Sequence, residues 1–502
     1  MSFAQVSGQC HCWQMDHDQD RSRDPGWWLR VALDGWQRRQ GPRYHQISVA
    51  LAEAMERRLV DPGDRLPAER LLAQALGVSR GTAVRGYDEL AEAGLVERRQ
   101  GAGTFVLPRP AWTHTPKETP ASTLLHRRLA RGGDDGVIDL SLSVPAGTDH
   151  LPHLAGTLPA FGEAGLTGHG LDPAGLPVLR AALAEHLTHR LSLPTTPDQL
   201  IVTSGAQHAL SLVMAALVSP GRTVITGCPT YPGLAGALSG HRGRLLGVPV
   251  DAHGLDIGAL DRAAARTHAP VLYADPAAHN PTGAVLGALR RQSLLELARR
   301  RSAVLVEDLA QAGLAFESED PPARPLAADD DSVIAVGSLS KVLWAGLRIG
   351  WLRAPDPLRG YLLRLRSSQD LAPSVPSQLL AAQLLAAADL PWQDGLRRAL
   401  RERRDLLLTL LQRDLPAWQA QCPQAGLSVW ATLPVADSDS FAHLAARYGV
   451  LVTPGATACV DGRHRNGLRL SIAESPQTLE TAVDRLTVAW EEHTRQLAAS
   501  IG

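Results

Sequence analysis

A chain of 502 residues is too long for one hydrophobic core and predicts two to four domains. With 44% hydrophobic and 20% charged residues it has the composition of folded domains, which excludes a globally disordered chain. The 50 basic and 51 acidic residues leave a net charge of -1, which excludes a histone-like polycation or an acidic solvating tail but not a local nucleic-acid surface.

Cys10, Cys12, Cys228, Cys422 and Cys459 are too few and too scattered for a disulfide framework, so a reducing, cytoplasmic setting is expected. No apolar run approaches the length of a membrane span, and the first residues lack the apolar centre of a signal peptide. Of the 50 basic residues only Lys117 and Lys341 are lysine; the rest are arginine. A lysine retained in such a chain marks a place where arginine cannot serve.

Residues 1–40 read as an extension, disordered in part, with a solvated charged run from Asp16 to Asp24. The stretch from Trp27 to Trp36 is more apolar and can pack on a neighbour. Cys10, His11, Cys12 and His17 fit no standard zinc spacing, and no metal site is expected. Ile47, Ala50, Leu51, Ala54, Met55 and Leu59 recur at helical spacing between Tyr44 and Val60. Asp61-Pro62-Gly63-Asp64 ends that helix, and a short second helix runs from about Glu69 to Leu76 and stops at Gly77. Ser79 can cap a third helix reaching about Ala93, with Gly94 as its stop. Leu95 to Val106 then reads as two strands around Gln100-Gly101-Ala102-Gly103. These elements make a small domain over residues 41–106.

A Pro- and Thr-containing linker covers residues 107–137 and holds Lys117. From 138 to 495 short apolar runs alternate with helical patterns: Leu200–Thr203, Thr223–Thr226, Val271–Ala274, Ala303–Glu307 and Val333–Val336. That alternation predicts an α/β domain with a mostly parallel central sheet. From about Ser377, Leu/Ala-rich helix and the strands Leu427–Thr432 and Gly467–Ile472 predict a small C-terminal α/β subdomain.

Within the first domain, a short helix, a Gly77-Val78 turn and a helix opening Ser79-Arg80-Gly81-Thr82 meet the needs of a helix-turn-helix. Arg80 can pair bidentately with guanine, Ser79 and Thr82 can bond phosphate or base, and Arg70 suits a phosphate. Nine Arg balance nine Asp and Glu over residues 41–106, so charge alone does not single out DNA, and a helical interaction module is the plainer reading of the periodicity. The strings Leu66-Pro67-Ala68-Glu69-Arg70, Leu76-Gly77-Val78-Ser79-Arg80-Gly81-Thr82 and Gly94-Leu95-Val96-Glu97-Arg98-Arg99-Gln100-Gly101-Ala102-Gly103-Thr104-Phe105-Val106 resemble the winged helix-turn-helix of GntR-type bacterial regulators. The resemblance implies double-stranded operator DNA as partner and puts Arg70, Ser79, Arg80, Thr82, Arg85 and Gly103 at DNA-contacting positions. Gly81 replaces a small polar residue and removes one expected contact.

In the second domain Lys341 follows an apolar strand in Gly337-Ser338-Leu339-Ser340-Lys341, with Arg348 seven residues on. A lysine amine forms a Schiff base with an aldehyde, which arginine cannot do, and Ser338, Ser340 and Arg348 beside it suit a phosphate. That is the chemistry of pyridoxal 5'-phosphate. Ser204-Gly205-Ala206-Gln207 leaves a strand and opens a helix whose amides can hold a phosphate. Tyr231 can stack on a ring, Asn280 can reach a ring oxygen, and Asp308 can pair with a protonated pyridine nitrogen. Arg469 can clamp a ligand carboxylate. Taken singly, Tyr231 reads as core, Asn280 as a turn residue and Arg469 as a surface strand residue.

In this order the set resembles fold type I aminotransferases over residues 138–495, and the pairing with a GntR-like head resembles the MocR family of regulators. The resemblance implies a regulator that senses pyridoxal phosphate or an amino-compound adduct of it, and a head-to-tail homodimer. Two positions depart from the pattern. Ala310 stands where the family has a tyrosine that bonds the ring hydroxyl. His169 stands near the place of a tyrosine that reaches a phosphate across the dimer, and His279 precedes Asn280. Loss of ring-hydroxyl tuning hurts proton shuttling more than cofactor attachment, which favours a sensor over an aminotransferase. A working aminotransferase with an accessory DNA-binding head, and a cofactor-free dimerisation scaffold, are the other readings.

Overall fold

The computed structural model describes residues 27–28, 32–38, 42–56, 59–99, 101–107, 136–145, 147–154, 169–241, 243–316 and 324–501. The charged run 16–24, the Cys10-His11-Cys12 segment, Gln100 and nearly all of the linker with Lys117 lie outside them. The chain divides into two units, 1–117 and 118–502.

The first unit is three helices and a hairpin. Helix α1 (Arg43–Glu56) buries Ile47, Ala50, Leu51 and Ala54, the stripe expected from i, i+3, i+4 and i+7 spacing. Helix α2 (Glu69–Leu76) ends on Gly77 at φ 65°, where the Gly77 amide donates to the Ala73 and Gln74 carbonyls. That left-handed residue turns the chain into α3 (Arg80–Glu92). Ser79 caps α3 by accepting the Thr82 amide at 3.1 Å. Close packing of α1 on α3 requires Gly86, because a Cβ there would stand 3.0 Å from the Tyr44 carbonyl oxygen. Strands β1 (Val96–Arg99) and β2 (Gly103–Val106) pair antiparallel, with Arg99 opposite Gly103 at the tip. Trp28, Ala32, Leu33 and Trp36 are buried in the same core as Ile47, Leu72 and Leu90, so the apolar part of the extension completes this head.

The second unit opens with β3 (Ile138–Asp139). Strands β4 (Leu200–Thr203), β5 (Thr223–Cys228), β6 (Arg244–Asp251), β7 (Gly254–Leu255), β8 (Val271–Ala274), β9 (Val304–Asp308), β10 (Ile334–Ser338) and β11 (Gly350–Arg353) form one sheet in the order β4-β11-β10-β9-β8-β5-β6-β7. From β10 to β6 every pairing is parallel; β11 runs against both its neighbours. Helices cover both faces, so β4, β8 and β10 are buried at every position, which is why they read as unbroken apolar runs.

A smaller antiparallel sheet has the order β12 (Gln419–Ala420), β13 (Ser428–Thr432), β16 (Gly467–Ser471), β15 (Thr453–Pro454). Helices Leu390–Asp414 and Pro476–Ile501 cover it. Trp418, Phe441 and Trp490 meet edge to face there, with ring centroids 5.3 to 5.5 Å apart. β3 pairs in parallel with β14 (Val450–Leu451), so the first described strand of the unit joins the lobe built by its last residues. No helix among the described residues is long and apolar enough to cross a membrane.

Candidate functional site

Parallel sheets present their ligand sites at the carboxyl ends of their strands. Ser204 follows β4, Asp275 follows β8, Asp308 ends β9 and Ser338 ends β10. One cavity there, with about 700 Å³ of empty volume, is lined by Gly205, Ala206, Gln207, Tyr231, Asn280, Asp308, Ser338, Ser340, Lys341 and Arg348. Residues spread over 144 positions of sequence thus share one wall, as their chemistry predicts. Ser204 lies just behind, its carbonyl accepting Arg348 Nη2 at 2.8 Å.

The phosphate end is built from glycine. Gly205 sits at φ 101° and caps the helix Ala206–Leu217, leaving the first amides of that helix open. A Cβ on Gly205 would stand 3.2 Å from Arg348 Nη2, inside the cradle. Gly350 permits the close approach of β11, since its Cβ would fall 2.4 Å from the Gly205 carbonyl carbon. Ser338 Oγ accepts the Ser340 amide at 3.0 Å, while the buried Ser340 hydroxyl lacks a protein partner. An orphan hydroxyl, open helix amides and a guanidinium around a glycine cradle fit a phosphate.

The ring end is acidic and buried. Asp308 accepts the Ala310 amide at 2.8 Å on one oxygen and the Tyr273 hydroxyl at 2.6 Å on the other. Burial pushes its pKa up to about 6, against the hydrogen bonds from Tyr273 and Ala310, with Asp275 adding to the rise and Lys341 opposing it. Asp275 is pushed by burial up to about 7, although its carboxylate accepts the Asn280 amide at 2.6 Å. Burial, and then Asp308, raise Tyr231 to about 12. A buried carboxyl beside Lys341 gains by facing a cation, which is what a protonated pyridine nitrogen supplies.

Lys341 Nζ donates to the Ser143 carbonyl at 2.6 Å. Arg469, on β16, is buried and donates to Asn280 Oδ1 at 3.2 Å, the Ser141 carbonyl at 2.7 Å and Thr453 Oγ1 at 3.1 Å. It stands behind Asn280 rather than on the cavity wall, buried and engaged with protein acceptors, where the sequence expectation had it facing a ligand carboxylate. Lys341 also borders a second, wider cleft of about 1270 Å³ lined by Asp149, His150, Trp392, Arg403 and Glu474. His169 is exposed and outside the first cavity's lining; His279 is buried, its Nδ1 2.8 Å from Thr282 Oγ1.

Four participants escaped the sequence reading. Tyr273 lies inside the apolar run Val271–Ala274 and reads there as core. Asp275 had one usable signal, its place directly after a parallel strand. Ser141 and Ser143 act through main-chain carbonyls, which no side-chain pattern reveals.

In the head, Arg70 and Arg80 are exposed, and so is Ser79 at the start of α3. Ser79 Oγ and Thr82 Oγ1 are 2.8 Å apart, so the two hydroxyls act as a pair. Arg85 is exposed but its guanidinium lies 4.3 Å above the Tyr44 ring. Gly103 has φ 115°, and a Cβ would stand 2.8 Å from Arg65 Nε, which the sequence reading had not singled out.

Residues 135–486 match the class I and II aminotransferase model, and residues 43–106 match that of the gntR family of bacterial regulatory proteins. The chain is 31% identical over 485 residues to the uncharacterized HTH-type transcriptional regulator YisV of Bacillus subtilis, covering 90% of this chain and 97% of that one. This chain belongs to the MocR-type regulators, a GntR helix-turn-helix fused to an aminotransferase domain. It is also 32% identical over 388 residues to the pyridoxine biosynthesis regulator PdxR of Corynebacterium glutamicum, covering 76% of this chain and 81% of that protein. Among solved structures it resembles the α-aminoadipate aminotransferase LysN of Thermus thermophilus, with TM-score 0.67, 27% identity, and coverage of 75% and 95%. As a MocR-type chain it carries fold type I architecture behind a winged head.

Proposed function

We propose that this protein is a cytoplasmic transcription regulator that reads operator DNA with α3 and its wing, and whose second unit holds pyridoxal 5'-phosphate as the sensed ligand or as the anchor for an amino-compound effector. One observation carries the reading: an exposed Ser79-Arg80-Gly81-Thr82 recognition turn and a buried Lys341 cavity occur in one chain. The name of PdxR, and the phosphopyridoxyl-leucine in the LysN structure, support it for this relative and this fold.

The residues divide the work. The amides of Gly205, Ala206 and Gln207, the Ser338 and Ser340 hydroxyls and Arg348 hold the phosphate. Tyr231 would cover the ring, Asn280 would serve its oxygen, and Asp308, oriented by Tyr273, would hold a proton on its nitrogen. When bound, the cofactor supplies an aldehyde that amines attack and an electron-poor ring. Lys341, whose amine is held at the cavity by the Ser143 carbonyl, would be the residue that holds the aldehyde. The second cleft, with Arg403 and Glu474, receives the rest of the effector, and Arg469, which donates to Asn280 Oδ1, positions Asn280 beside it. Two heads of a head-to-tail dimer then span half-sites about one helical turn, or a multiple, apart.

Ala310 favours sensing over turnover, because no side chain at that position can bond the ring hydroxyl. The alternative, an active aminotransferase, draws on the same Lys341, Asp308 and Asn280. Fluorescence anisotropy on DNA upstream of the chain's own gene, at moderate fixed salt, decides it. The regulator reading expects sequence-selective binding that shifts with pyridoxal phosphate or an amine. No DNA binding, with steady turnover of an amino acid and a 2-oxo acid, overturns it.

A further inference from the structure

Outside the cofactor cavity, three ligand-type side chains converge between the end of β5 and the loop ahead of β16. Cys228 is the last residue of β5; Cys459 and Asp461 follow the turn Gly455–Thr457 ahead of β16. Among the described residues these three form a group with the makings of a metal site. The two cysteines lie 231 positions apart, which is why scattered cysteines were all the sequence displayed.

We infer that Cys228, Cys459 and Asp461 form a binding site for a thiophilic divalent cation of the zinc class. The distances carry the inference. Around tetrahedral zinc, with metal–sulfur bonds of about 2.3 Å and metal–oxygen bonds of about 2.1 Å, two thiolates stand about 3.8 Å apart and a thiolate and an oxygen about 3.6 Å. Here the two sulfurs are 3.7 Å apart and Cys459 Sγ is 3.6 Å from Asp461 Oδ1. The third edge, Cys228 Sγ to Asp461 Oδ1, is 3.2 Å. It is a thiol–carboxylate hydrogen bond, and it lengthens when a metal replaces the proton. A closed disulfide holds its sulfurs at about 2.05 Å, so the two thiols are not bonded to each other here.

The surroundings are those of prepared ligands. Burial pushes the Cys228 thiol up to about 12; the Val460 amide, which donates to Cys228 Sγ at 3.2 Å, opposes that, and the His464 amide donates to Cys459 Sγ at 3.1 Å. Arg463 Nε takes Asp461 Oδ2 at 2.7 Å, so Oδ1, which also accepts the Arg463 amide at 3.0 Å, is the oxygen turned to the sulfurs. Cys228 is buried, Cys459 half-buried and Asp461 exposed, which gives a cation an entry and leaves its fourth position to water or a further ligand. On binding, each thiol passes its proton to solvent as its sulfur takes the metal. The site adjoins functional loops: Cys228 precedes Tyr231 by three residues, and the Thr230 amide already donates to the Ala458 carbonyl at 2.8 Å. A cation there ties the Tyr231 loop to the loop that leads into Arg469's strand.

The test uses the reduced, chelator-stripped full chain with Cys10→Ser and Cys12→Ser, so that the N-terminal cysteines cannot compete. It is titrated with Co²⁺ and then with Zn²⁺. The site predicts one Co²⁺ per chain with thiolate-to-cobalt charge-transfer absorption, removed by Zn²⁺. Cys459→Ser weakens uptake by more than about 100-fold, beyond the ~10–100-fold typical of an outer-shell partner, and Asp461→Asn weakens it measurably. Cys459 is not deeply buried, so an unchanged melting temperature separates ligand loss from misfolding; Cys228→Ser is the second arm. The inference is overturned if no cobalt–thiolate absorption appears or if it survives Cys459→Ser. It is equally overturned if the reduced protein closes a Cys228–Cys459 disulfide in air without taking up metal.

Discussion

The head and the second unit solve opposite problems. The head's proposed DNA-contacting side chains, Arg70, Ser79 and Arg80, are exposed. Those of the second unit are interior: burial displaces Asp275, Asp308 and Tyr231 from their ordinary proton affinities. Recognition at a surface needs only the right groups on a rigid helix, so one residue can be changed with little cost to folding. Chemistry in a cavity needs groups that folding itself places under stress, so function and stability are coupled there. Substitutions test that contrast directly.

The largest effect belongs to Lys341→Ala. It removes the one lysine amine that the described residues place at the cavity, and the visible absorbance expected of lysine-bound cofactor disappears entirely, while the head's intrinsic affinity for DNA stays within about twofold. Loss of DNA binding by the cofactor-free variant would show instead that the cofactor is required for operator-competent geometry.

Asp275→Asn sharpens the contrast through pH. A carboxyl whose folded pKa is raised from 3.8 to about 7 stabilises the fold below about pH 4, and that contribution is lost as pH rises through about 7. The melting temperature of the cofactor-free wild type should therefore fall relative to Asp275→Asn between about pH 5 and pH 8. A constant difference across that range would remove the claimed coupling.

The two units also differed in how much their sequences disclosed. Gly77, Ser79 and the Gly101–Gly103 tip are local signals, each acting within a few residues, so helices α2 and α3 and the hairpin were legible to within a residue or so. The sheet was legible because fully buried strands are unbroken apolar runs, and Lys341 because so little lysine surrounds it. What stayed hidden depended on distant pairing. Tyr273 reaches Asp308 from a neighbouring strand, β3 crosses to β14, and Arg469 is drawn inward by carbonyls from residue 141. Trp28 and Trp36 carried no motif, and their place in the head's core follows only from its packing.

In the head, Arg80→Ala should weaken specific DNA binding by about 10- to 100-fold, the ~1–3 kcal/mol of a bidentate base contact. Its melting temperature should not move, since Arg80 is exposed. Anisotropy against a scrambled operator separates base reading from phosphate attraction: an equal loss on both sequences would reassign Arg80 to the backbone.

Ser79→Ala gives the smallest change and the one that bears hardest on the contrast. Ser79 is exposed like Arg80, yet its oxygen accepts the Thr82 amide and closes the first turn of α3. Losing that cap should cost the head ~1 kcal/mol. Ser79→Asp keeps the cap, because a carboxylate also accepts the amide, but sets a negative charge against DNA phosphate. If Ser79 serves only as a cap, the aspartate variant binds DNA as well as wild type while the alanine variant is less stable. If it also touches DNA, the aspartate variant is stable and binds far more weakly. The second outcome is the one expected here, because Ser79 and Thr82 present their paired hydroxyls on the exposed end of the helix. The separation between surface recognition and fold stability would then break at one residue, where the group that starts the helix is also the group that meets the ligand.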